Sequence, residues 1–68
     1  MRFFSLEGKY PAVLRADGKA FILDDDGTWG EISAKELLFD TRTRELSAPE
    51  FDTRMAVFGG SLADLPKS

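Results

Sequence analysis

The chain is predicted to be an α+β fold, a three- or four-stranded antiparallel β-meander with one or two short helices packed on one face, and three features predict it. Asp17-Gly18 and Asp26-Gly27 each stand between apolar runs, the strongest short-range hairpin signal, because type I′ turns need positive φ at both central residues. The residues between and around these pairs alternate in polarity as a half-buried sheet requires. Ser33-Ala34-Lys35-Glu36 and Ser47-Ala48-Pro49-Glu50 both spell a helix start, with an N-cap serine and a glutamate three residues on.

In chain order, Arg2 to Leu6 holds two adjacent phenylalanines and a leucine, which favour a pleated, half-buried surface, and it adds a fourth strand. With a two-residue loop at each Asp-Gly pair, Ala12 to Ala16, Lys19 to Asp25 and Thr28 to Ile32 form the meander. Counting out from the turns opposes Leu14 to Phe21 and Val13 to Ile22, then Phe21 to Ile32 and Asp24 to Trp29. One face then carries Ala12, Leu14, Phe21, Leu23 and Ile32, and the helices pack there. The other carries Val13, Arg15, Ala20, Ile22, Asp24, Trp29 and Glu31, an apolar patch in a charged frame; a register slip by one residue would exchange the faces, and a longer Asp24 to Gly27 loop would do so for the third strand.

A short helix is expected from Ala34 to about Asp40, with Leu37-Leu38-Phe39 as a rival strand and Asp40 to Glu45 as its hairpin loop. A second helix is expected from Ala48 to about Phe58, where Phe51, Met55 and Phe58 share one side and Gly59-Gly60 stops it, with Arg54 to Phe58 as a rival strand. Ser61 to Ser68 offers a weak Ser61/Asp64 cap and then frays.

The 68 residues hold one small domain, 1–68. Its 43% apolar and 31% charged composition belongs with folded chains and away from disordered ones. A core of this size is marginal, and with no Cys and no His neither a disulfide nor a usual zinc site can reinforce it, so self-association or a partner gains weight. No signal sequence, lipidation motif or membrane-spanning run is legible, and the expected location is cytoplasmic.

Absence of His and Cys removes most nucleophile and base pairings, and no carboxylate pair among the 12 acids singles itself out, so a non-catalytic protein is expected ahead of a small enzyme of unknown type. No cofactor is expected. No metal site is either: Asp24-Asp25-Asp26-Gly27 has a calcium-like look, but Ile22 stands where the first acid of an EF-hand loop belongs, and a tight turn explains the aspartates. Twelve acids against nine cations give a net charge of −3, which makes nucleic acid an unfavourable partner.

The expected function is macromolecular binding by a small acidic inhibitor, antagonist or adaptor, working on an unknown protein partner or as a homodimer. Trp29, Ile22 and Val13 form the expected anchor, with Arg15, Asp24 and Glu31 as the rim. The competing assignment for Trp29 is the core. An alternative function, a nucleic-acid-associated accessory protein, rests on Arg42, Arg44 and Arg54 as an anion-binding cluster, against ordinary pairing with Asp40, Glu45, Glu50 or Asp52. The turn assignment also predicts that Gly18→Val harms folding far more than Gly60→Val.

Overall fold

Both Asp-Gly pairs do turn the chain, but through three residues rather than two. In the computed structural model, which describes residues 1–66, Gly18 N donates to Arg15 O and Arg15 N to Lys19 O; Gly27 N donates to Asp24 O and Asp24 N to Thr28 O. Positive φ is confined to the glycines of these pairs, 86° at Gly18 and 81° at Gly27, so each loop is the three-residue type that closes on a left-handed residue. Asp17 Oδ1 accepts from Lys19 N, and Asp26 Oδ1 accepts from Thr28 N, each at 3.0 Å. These aspartates are local turn braces, as short polar side chains commonly are.

The extra loop residue moves each pairing by one. β2 (Tyr10–Leu14) and β3 (Ala20–Leu23) oppose Val13 to Phe21, and β3 and β4 (Trp29–Ile32) oppose Leu23 to Trp29. Since a one-residue shift exchanges faces, β3 turns over relative to the expectation, and the second shift returns β4 to its expected relation with β2. Phe21 and Leu23 therefore share a face with Val13, Trp29 and Glu31, whereas Ile22 lies on the other face with Ala12, Leu14, Ala20 and Ile32.

The sheet has five strands, not three or four, in the order β4-β3-β2-β1-β5, and every pairing is antiparallel. β1 (Arg2–Leu6) joins β2 as expected, through a turn at Glu7 (φ 57°) and Gly8 (φ 69°) where Lys9 N donates to Leu6 O. The paired positive φ expected at the Asp-Gly sites is found here instead. The fifth strand, β5 (Thr43–Leu46), comes from the segment that reads as loop, and it follows α1 (Ala34–Phe39), so Leu37-Leu38-Phe39 is helix and not the rival strand. β5 completes the β1 edge, with Phe3 opposite Leu46 and Leu6 opposite Thr43.

The helices are not on one face. α1 seats Leu37 among Phe4, Ala12 and Ala20, with Leu14, Ile22 and Ile32 around them. On the opposite side α2 (Ala48–Val57) brings Phe51 onto Val13, Phe21 and Leu46, flanked by Phe3, Trp29, Met55, Leu62 and Leu65. Ser47 closes a full capping box with Glu50 at the start of α2, while Ser33 at α1 only accepts from Lys35 N, at 3.2 Å. At the far end of α2, Gly59 N donates to Ala56 O and Gly60 N to Met55 O, with Gly59 at φ 69°, a Schellman stop.

From there the chain returns over β3 and β4. A Cβ on Gly60 would fall 2.4 Å from Leu23 Cδ2, so this position admits glycine alone at that separation. Gly18, by contrast, has open space around it but a φ of 86° that strains any other residue, so the two glycines are required for different reasons. Of the tail 61–68, a short 3₁₀ turn forms at Leu62–Asp64, and Leu62 and Leu65 lie against the core; residues 67 and 68 lie outside the described residues.

Candidate functional site

Three consecutive apolar residues in α1 exceed what one short helix can bury. Successive residues advance by about 100°, so Leu37, Leu38 and Phe39 point in directions spread over about 200°. Leu37 takes the inward direction and is fully buried; Leu38 is left 42% exposed and Phe39 78%. Phe39 stands beside a shallow groove whose other walls are Leu6, Lys35, Glu36, Asp40 and Arg42. Both residues were visible in the sequence only as an ambiguous helix or strand, yet the run of three was itself the signal that one of them must face outward.

A second cleft, of ≈ 550 Å³, lies between the β1–β2 turn and α2, with Leu46, Val57 and Phe58 as its apolar wall. Val57 is 79% exposed. Lys9, Glu50, Thr53 and Arg54 supply the polar side of this cleft. The Phe58 ring also meets Tyr10, with ring centroids 5.7 Å apart.

The predicted anchor residues do not form one surface. Val13 is fully buried under α2, and Ile22 faces α1. Trp29 is half-buried, its ring stacked toward Phe51 at 6.5 Å and its Nε1–H donating to Ser61 O at 2.9 Å. Arg15 lies over the Phe21 ring, its Nη2 pairs with Asp17 at 2.8 Å, and it donates to Pro66 O. The return segment Ser61–Pro66 is thus tied to the sheet at both ends, by Trp29 and by Arg15. Asp24 and Glu31 are exposed, Asp24 at the β3–β4 turn and Glu31 on the edge strand.

The three expected anion-binding arginines are also apart in role. Arg42 pairs with Asp40 at 3.1 Å and with Glu7; Arg44 approaches Glu50 at 3.8 Å; Arg54 donates to the carbonyls of Gly8, at 2.9 Å, and Lys9. Arg42 and Arg44 are mainly exposed, so these surface pairs are weak and salt-sensitive. Arg54 fixes the β1–β2 turn to α2, a structural position between two elements.

Hydrogen bonding depresses five carboxyls. Arg2 grips Glu45 with both nitrogens at 2.9 and 3.0 Å, and this holds Glu45 below the ordinary glutamate value. Hydrogen bonds from Arg15 lower Asp17, those from Thr28 lower Asp26, those from Arg42 lower Asp40, and the Ser47 backbone lowers Glu50. Among the described residues, no group of three or more acids gathers as a metal-binding set, and no helix is long and apolar enough to cross a membrane. Thr43 Oγ1, on edge strand β5, is buried without a hydrogen-bond partner.

Compared with known proteins, the chain matches no family model, no curated protein and no solved structure.

Proposed function

We propose that this chain is a small non-catalytic protein that acts by binding another macromolecule, as an inhibitor, antagonist or adaptor. The observation that carries the reading is Phe39, an aromatic side chain 78% exposed at the end of α1 with Leu38 beside it and a groove at its foot. Aromatic side chains supply large contact area at low entropic cost, and they are enriched among the few residues that dominate binding energy. Lys35, Glu36, Asp40 and Arg42 around the groove make a polar rim of both signs, suited to orienting a protein partner.

The anchor thus moves from Trp29 to Phe39. Trp29 supports the α2 side of the sheet, its indole N–H spent on Ser61 O.

The test is capture from the host lysate by wild type and by a Phe39→Asp variant shown to be folded, each at low and moderate salt. A protein retained by the wild type at both salts and lost by the variant is the expected result. Equal retention by the variant removes the anchor, and nucleic acid recovered at low salt alone returns the arginines to the front.

A further inference from the structure

We propose that two copies of this chain pair through β4, joining their sheets edge to edge around a twofold axis at Gly30. This goes beyond the α1 reading and rests on the other edge of the sheet. Strands β4 and β5 are the two edges. Asp24 N bonds to Thr28 O, so the alternation of an antiparallel ladder directs residues 28, 30 and 32 toward β3. The N–H and C=O groups of Trp29 and Glu31 therefore point outward, and among the described residues none of these four has a partner.

A second β4 satisfies all four groups in one register. With Gly30 opposite Gly30 of the second copy, Trp29 opposes Glu31 and exchanges two backbone bonds with it, and symmetry repeats the pair. Glycines meet at the closest point of the ladder, and no like charges are opposed there. Centring on Glu31 instead would set glutamate against glutamate, a destabilising cross-strand pair. Centring on Trp29 would bring Glu31 to Gly27, which is left-handed and cannot continue a strand.

β5 refuses the same operation. A twofold axis at Arg44 opposes two arginines, one at Glu45 opposes two glutamates, and Thr43 N is already bonded to Asp40 O. One edge is therefore guarded by charge and the other is complementary to itself. The product is a ten-stranded sheet with β5 at both ends.

Two measurements test this. Sedimentation equilibrium up to about 1 mM should show a monomer–dimer equilibrium, and Glu31→Pro should weaken it by roughly tenfold or more, since it deletes an outward N–H that the monomer does not use. The chain has no cysteine, so Gly30→Cys places a single thiol at the axis. A Cβ at Gly30 has only Asp24 Oδ2 nearby, at 3.7 Å. A non-bonded antiparallel pair separates Cα atoms by about 4.5 Å, within disulfide range, so oxidised glutathione should convert this variant to a covalent dimer while Glu45→Cys on β5 stays monomeric. A wild-type monomer at every concentration, an unweakened Glu31→Pro dimer, or equal cross-linking at Glu45→Cys would each overturn the proposal. If Glu31→Pro does not fold, the cysteine pair decides alone.

Discussion

The two faces of this sheet are built from the same strands yet carry different weights. On the α2 side, Phe3, Val13, Phe21, Leu46 and Phe51 interlock, with Phe3 and Phe51 stacked at 4.5 Å, and a complete capping box starts the ten-residue helix. On the α1 side, Ala12 and Ala20 lie under a six-residue helix that inserts one side chain, Leu37, and leaves Phe39 outside. Large residues make a thick, self-sufficient layer. Small ones let a short helix sit close, and its Leu38 and Phe39 stay outside, as Val57 does at the end of α2.

That asymmetry can be broken by substitution. Phe51→Ala should cost about 3–5 kcal/mol in urea unfolding, because it empties a fully buried site between two aromatic rings. Leu37→Ala should cost less, about 2–3 kcal/mol, since a six-residue helix can settle into the gap. Equal costs would show the two layers to be of equal weight. Gly60→Val follows at about 1–3 kcal/mol by crowding Leu23, and a neutral result would mean that the return segment is not held against β3.

Smaller effects sharpen the contrast. Ser47→Ala should lose about 1 kcal/mol and Ser33→Ala about 0.5 kcal/mol, in keeping with two capping bonds against one. Phe39→Ala should change stability by no more than about 0.5 kcal/mol while abolishing partner binding. Acid should act modestly as well. Asp17, Asp26, Asp40, Glu45 and Glu50 have folded values below their ordinary ones, so their contribution is complete above the ordinary carboxyl range near pH 4 and is lost as pH falls through the depressed values. The groups are on the surface, so a denaturation midpoint compared at pH 7 and pH 3 should fall less in high salt than in low.

Much of the architecture was legible where a local rule controls it. Ser47, Glu50, Gly59 and Gly60 announced α2 and its end, and the two Asp-Gly pairs announced the hairpins. Face assignment failed because it depends on parity: Gly18 and Gly27 take positive φ but Asp17 and Asp26 do not, and one additional loop residue in each turn reversed β3. β5 was missed because Thr43-Arg44-Glu45 looks like a solvated loop, and its strand character comes from pairing with Phe3 to Leu6 rather than from its own composition. Of the expected Trp29, Ile22 and Val13 patch, parity removed Ile22 alone, and α2 with its return segment packs on Val13 and Trp29, while Phe39 was hidden by the choice between helix and strand.

The inner strand β1 has an immediate neighbour on one side and a remote one on the other. Its pairing with β2 closes a tight turn, whereas the bidentate Arg2–Glu45 contact joins positions separated by 43 residues in the chain. Loop closure of that length is slow compared with hairpin formation, so β1 to β4 can assemble in order while β5 must wait for the chain to cross the whole sheet. Synthesis from the N-terminus presents the segments in the same sequence. Until β5 arrives, the edge of β1 is an open strand bearing Phe3 and Phe4, and the interval before Thr43–Leu46 docks is when this chain is most prone to aggregate.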